Sequence, residues 1–258
     1  MRHASGFDSG ILCGGERYHL IQSLGAGTIS QVYLGQRLGL LPFLATIKLS
    51  SVTSAADRYA REAQVLRELR GLDAGAAEIF LPLVLAHGVV QDHQSKHGLV
   101  LRHPSGFWGS LAALNESFPE GLDPRHAVWI WRRLLAVLAF IHRHGWRHGD
   151  VRPEHALVHP GDHGVRLIGW ASAEKGVDAR DQATDLVRSA CVVLVLLCGE
   201  KEADAVPDHV PVELAQLVTL TSQDEAFCRA QRAEGLDGLL RAAARSAFGP
   251  PTFVPLIV

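Results

Sequence analysis

The stretch Trp146-Arg-His-Gly-Asp-Val-Arg-Pro-Glu-His155-Ala-Leu-Val-His-Pro-Gly-Asp-His-Gly-Val165-Arg-Leu-Ile-Gly-Trp-Ala-Ser172 governs how the rest of the chain is read. Two short aliphatic runs, Ala156–Val158 and Val165–Ile168, flank Pro-Gly-Asp-His-Gly, a composition that marks a β-hairpin. A polar loop carrying His148, Asp150, Arg152 and His155 leads into it.

Working outward, composition narrows the possibilities. The 258 residues suffice for one large domain or two small ones. A hydrophobic content of 47% with 20% charged residues is ordinary for a globular protein. The formal charge of −2 argues against nucleic acid or an anionic membrane surface as the main partner. The first residues, Met1–Asp8, hold no apolar signal core, and the longest apolar run, Ala190–Cys198, is shorter than the roughly 20 residues of a membrane span. The expectation is a cytoplasmic protein without membrane insertion. Cys13, Cys191, Cys198 and Cys228 show no CxxC spacing, and Cys191 and Cys198 share an apolar run, so buried thiols are expected in preference to a metal site.

Residues 1–15 read as a loose Gly- and Ser-rich tail. From Arg17 the pattern is strand, glycine turn with Gly25 and Gly27, and strand, which on its own needs only a hairpin turn. The next strand, Phe43–Leu49, is interrupted by Lys48, and an inward lysine there needs a carboxylate or another anion beside it. Ser54–Asp57 has the form of a capping box and Gly71 that of a helix stop, with Tyr59, Ala63, Val65, Leu66 and Leu69 as the apolar face between them. Glu62 on this helix is either the partner of Lys48 or one charge on a solvated face shared with Arg61 and Arg67. Phe80–Gly88 and Gly98–Arg102 add two strands. Asp123-Pro124 opens a long buried helix closed by Gly145. A second apolar helix runs from Asp185 to Gly199, and Val212–Leu220 and Leu236–Ala247 are further helical patterns.

Taken in order over about residues 17–200, these motifs resemble the protein-kinase superfamily, in particular a bacterial-type serine/threonine kinase whose metal site has degenerated. The opening stretch is similar to the catalytic loop His-Arg-Asp-Leu-Lys-Pro-Glu-Asn followed by Asp-Phe-Gly. The resemblance implies an α+β, bilobal protein-kinase-like fold over residues 16–258. Its N-lobe, about 16–102, is a five-stranded antiparallel sheet with one helix; a hinge covers about 102–106, and a mainly helical C-lobe about 107–258. It implies ATP as the ligand, with Gly25, Gly27, Val32, Thr46, Lys48, Glu62, Leu101, His103 and Leu157 around it, Asp150 as base and Arg152 as the loop cation. Asp185 matches the acid that supports the loop from beneath, although a helix N-cap would account for it equally.

The departures fall on the chemistry. His155 stands where the family has its metal-binding Asn, and Gly169 where it has its metal-binding Asp. Mg²⁺ prefers hard oxygen ligands, so His155 is the one weak metal candidate and Mg²⁺ is not expected to bind well. Gly149 replaces the arginine that reads a phosphorylated loop, and only 13 residues separate Ala171 from Asp185, without Ala-Pro-Glu. If Leu101 precedes the hinge, Pro104 removes one N–H from the adenine position, and Thr46 narrows that pocket. His-Gly-Asp and Ile-Gly-Trp also resemble the His-Gly-Asp and Ile-Asp-Trp of aminoglycoside and choline kinases. The combined reading is a pseudokinase acting as a regulatory or interaction module on an unidentified protein partner. The alternative is a non-standard phosphotransferase that uses Asp150.

Overall fold

The structure is a computed structural model describing residues 10–91 and 93–258; the first nine residues of the expected tail lie outside it. The described chain forms two compact units that divide between Ser105 and Gly106.

The first unit contains β1 (Gly10–Cys13), β2 (Glu16–Ala26), β3 (Gln31–Arg37), β4 (Leu44–Ser50), α1 (Ala55–Arg70), α2 (Ala74–Phe80), β5 (Val84–Gln91) and β6 (His97–Arg102). The strands close in the order β1-β2-β3-β4-β6-β5, all antiparallel, with β1 also paired to β5 through Leu12↔Gln91 and Cys13↔Val90. This corrects the expected architecture. A six-stranded barrel stands in place of an open five-stranded sheet, and a bilobal kinase fold is not evident, although mixed α+β content is. The physical cause is the two-residue turn Gly14-Gly15, with φ of +62° and +81°. Positive φ at both central positions matches the twist of a tight hairpin, so β1 folds straight back on β2. A Cβ on Gly14 would lie 2.5 Å from that of Ala86, so only glycine lets the strand reach β5. Ile11, Cys13, Tyr18, Leu20, Ala45, Ile47, Leu49, Ala86, Val90 and Val100 fill the interior. The helix α1 begins after Ser54, whose side chain makes no capping bond, so the expected capping box does not form.

The second unit is built on helices α3 (Leu111–Ser117), α4 (Pro124–Arg143), α5 (Ala179–Cys198), α6 (Val212–Gln223) and α7 (Glu225–Phe248). Around them lie the short strands β7 (Gly109–Ser110), β8 (Trp146–Arg147), β9 (Ala156–His159), β10 (Gly164–Leu167) and β11 (Glu174–Lys175). The hairpin β9–β10 pairs Ala156 with Leu167 and His159 with Gly164, and β7 adds to β9. Asp123 caps α4 by accepting from the N–H of Arg125, and proline begins the helix. Asp178, not Asp185, caps α5, accepting from the N–H groups of Arg180 and Asp181. The helix therefore starts two turns earlier than the sequence suggests, and Asp185 faces the interior. Trp131, Trp146 and Trp170 are fully buried, with the indole N–H of Trp131 donated to Ser189 Oγ at 3.0 Å. Cys13 and Cys228 are buried, whereas Cys191 is exposed, against the expectation for it. No helix among the described residues is long and apolar enough to cross a membrane.

Candidate functional site

In the first unit, alternation along β4 sends Ala45, Ile47 and Leu49 into the barrel and Thr46 and Lys48 to the opposite face. Lys48 thus points away from the barrel interior, where α1 meets it. Its Nζ donates to both oxygens of Glu62, at 2.7 and 2.8 Å, and the Glu62 side chain is only 4% exposed. Of the two readings of Glu62, the paired one is the arrangement found. Both charges are satisfied at once, which is what makes burying them tolerable.

The glycine turn is tied to the elements behind it. Gly25, at a bulge with φ +144°, pairs with Val32, and the N–H of Gly27 donates to the carbonyl of Ser30 at 2.8 Å. Ser50 Oγ donates to the carbonyl of Ile29 at 2.5 Å, and the Tyr59 hydroxyl donates to Ser30 Oγ at 2.7 Å. Sequence reading missed Ser50 and Tyr59 here, since each looks like ordinary strand or helix content. Thr46 Oγ1 and His103 Nδ1 share a hydrogen bond of 2.9 Å, and burial holds the His103 imidazole below its usual pKa, hence neutral. The backbone N–H of His103 is already given to the carbonyl of Leu44 at 3.1 Å. Leu101 is buried within β6.

In the second unit the loop before the hairpin hangs from Asp185, which is 1% exposed. Its Oδ2 accepts from the N–H of His148 at 2.6 Å and its Oδ1 from that of Gly149 at 2.9 Å. His142 Nε2–H donates to Oδ2 at 3.1 Å. Burial pushes the Asp185 carboxyl up, but the His142 hydrogen bond and the neighbouring imidazoles outweigh it and leave the pKa below the ordinary value. His148 is the second fixed point. Complete burial lowers its pKa to about 4, so the ring is neutral near pH 7. Nε2–H donates to the carbonyl of Ile168 at 3.1 Å, and Nδ1 accepts the N–H of Asp150 at 3.2 Å. One neutral tautomer therefore joins the loop to the end of the hairpin.

Asp150, Arg152 and His155 meet in one cluster. Arg152 Nε lies 3.5 Å from Asp150 Oδ1. His155 Nδ1 lies 3.0 Å from the Asp150 carbonyl and 3.2 Å from Oδ2, while Nε2 faces Arg152 Nη2 at 3.2 Å. Arg152 Nε also lies 3.3 Å from Nδ1, so both ring nitrogens face the guanidinium. The candidate base is thereby held by Arg152 and His155, two and five residues further along the chain.

Gly169 lies directly beneath the His155 ring. It has φ of +80°, and a Cβ built there would sit 2.9 Å from both Cε1 and Nδ1 of His155. The space an acidic side chain would need is therefore filled by imidazole. The residues at this hairpin do not fit Mg²⁺: Gly169 offers no side-chain oxygen, and His155 supplies nitrogen. Among the described residues no group of three or more His, Cys, Asp or Glu side chains could hold a metal ion. Gly149 is equally constrained, with φ +78° and a built Cβ only 2.6 Å from the carbonyl oxygen of Ser172. Its own carbonyl accepts from Arg188 Nη1, a contact with no sequence signal. Leu157 sits on β9, paired with Arg166 and Ser110. The predicted residues thus form two groups, Gly25 to His103 in the first unit and Asp150 to Gly169 in the second.

No protein-family model matches the chain. Two curated bacterial proteins are similar to it. "Serine/threonine-protein kinase D" of Synechocystis sp. is 25% identical over 174 residues, which cover 64% of this chain and 32% of that protein. "Probable serine/threonine-protein kinase PknB" of Lactococcus lactis subsp. lactis is 26% identical over 148 residues, covering 55% of this chain and 22% of that protein. The matched region spans less than a third of either relative. The chain is similar, at this level, to kinase-like proteins.

Proposed function

We propose that this chain is a kinase-related protein that binds a nucleotide without a divalent metal and serves as a regulatory or interaction module rather than as a phosphotransferase. The observation that carries this reading is the packing of the His155 ring against Gly169, which leaves no place for a metal-binding carboxylate. Phosphoryl transfer depends on cations bridging the phosphates, and Arg152 is already shared between Asp150 and His155. Lys48, held by Glu62, and the backbone of the turn bearing Gly25 and Gly27 would contact the phosphates of ATP. Thr46, Leu101 and His103 would border the base. The bond between Thr46 and His103 and the engaged N–H of His103 favour weak binding.

A second reading, residual phosphotransfer with Asp150 as base, draws support from the intact suspension of the loop by Asp185 and His148. Thermal unfolding with ATP, ADP and AMP, with and without Mg²⁺ or Mn²⁺, separates the two. Stabilisation of about 2.7 kcal/mol is expected at roughly 100 Kd of ligand, and it should be indifferent to metal. Metal-dependent stabilisation, together with ADP release that Asp150→Asn abolishes, would establish the second reading instead.

A further inference from the structure

A cleft of about 340 Å³ opens in the second unit where the end of α4, the start of α5 and the middle of α7 come together. Its charged lining is lopsided: Arg143, Arg229 and Arg232 against the single carboxylate of Glu234, which sits 3.7 Å from Arg143. Ala183, Leu186 and Cys228 form an apolar floor. Neither Arg229 nor Arg232 makes an ion pair among the described residues, although Arg229 acts on Asp178 at longer range.

The backbone supplies an independent observation. Arg232 has φ of +55° and ψ of 179°, a conformation that breaks α7 in two and that is almost confined to glycine. An arginine is therefore kept, at a conformational cost, where glycine would be preferred. Strain retained beside a cleft is a common mark of a binding position. Arg232, at the break, and Arg229, three residues before it, both line the cleft.

We propose that this cleft binds a small organic anion, a phosphate or carboxylate on a short apolar or aromatic body. The head group would be taken by Arg229 and Arg232, and the body would lie over Leu186 and Cys228. A volume of this size suits a ligand of that class, and guanidinium groups match its planar, bidentate geometry. The site is separate from the nucleotide reading above. It does share His142, whose Nε2 is committed to Asp185, so an occupant touches a residue that helps to hold the Asp150 loop.

Isothermal titration of the full chain with phenyl phosphate, benzoate, phenol and inorganic phosphate tests the proposal, with Arg229→Ala and Arg232→Gly as variants. Saturable binding of phenyl phosphate is expected, weakened about tenfold or more in each variant, as the loss of a charge-assisted hydrogen bond implies. Phenol and inorganic phosphate should both bind more weakly than phenyl phosphate. Arg232→Gly is the decisive variant, because it should raise the unfolding temperature by relieving the backbone while lowering affinity; misfolding cannot produce that pair of results. Absence of saturable binding to the wild type, affinity unchanged in both variants, or phenol binding as tightly as phenyl phosphate would each overturn it.

Discussion

Gly169→Ala tests the interlock between the hairpin and the Asp150 loop. Two costs are expected. A non-glycine residue at φ +80° loses about 1–2 kcal/mol from the left-handed conformation alone. The new methyl group would sit 2.9 Å from His155, and overpacking of that kind costs about 1–3 kcal/mol. The sum is about 2–5 kcal/mol. His155→Ala removes the ring, so Gly169→Ala introduced into that background should cost only the conformational part. The cycle therefore predicts an interaction energy of about 1–3 kcal/mol, well above the few tenths by which independent sites fail to add. Urea unfolding of wild type, both single variants and the double variant, compared at constant m-value, measures it. Additive single-variant effects would falsify the claim that His155 and Gly169 form one packing unit. The same cycle with Gly169→Asp and His155→Asn asks whether removing the ring lets an acid occupy the position, read as Mg²⁺-dependent thermal stabilisation.

Three other outcomes are expected. Glu62→Gln leaves the Lys48 ammonium with half its partner in a mostly buried position and should destabilise the first unit by about 2–4 kcal/mol, somewhat below the loss for a fully buried pair; a change under about 0.5 kcal/mol on urea unfolding would contradict the pairing. His148 has a folded pKa of about 4, below its ordinary value, so the unfolded chain binds more protons between about pH 4 and 6.5 and stability should rise with pH through that window, by on the order of 3 kcal/mol. His148→Gln, which keeps one donor and one acceptor, should flatten that slope; an unchanged slope would place the titration elsewhere. Gly149→Arg should cost about 2–5 kcal/mol from φ +78° and the carbonyl of Ser172, and thermal unfolding unchanged by it would show that the loop has room.

What the sequence discloses and what it withholds follow from how local each signal is. The apolar spacing around Trp131 and the Asp123-Pro124 start define α4 within a few residues, because capping and periodicity are carried by neighbouring positions. The hairpin at 156–167 is legible for the same reason. Lys48 in an apolar strand demands a partner, and Glu62 meets that demand. By contrast, β1 is hidden in a stretch that looks like a tail, although Ile11-Leu-Cys13-Gly-Gly is itself a two-residue hairpin signal. Nothing local indicates that this strand also reaches β5. Asp185 is ambiguous between cap and loop support until Asp178 is seen to cap the helix. The contact of His155 with Gly169 depends on a backbone angle, and the exposure of Cys191 on which face of α5 turns outward. Neither quantity is written in spacing.

Closure of the first unit's sheet has a consequence for how that unit can associate and fail. Where β1 lies between β2 and β5 it occupies their outer N–H and C=O groups, so a partner cannot extend the sheet there with a strand of its own. The seal depends on Gly10–Cys13, all four paired to β2 and two of them, Leu12 and Cys13, paired to β5 as well. A version of the chain beginning at Glu16 would uncover the positions of β2 and β5 that β1 covers, adding adhesive edge to both strands. Such a fragment should self-associate and precipitate where the longer chain does not.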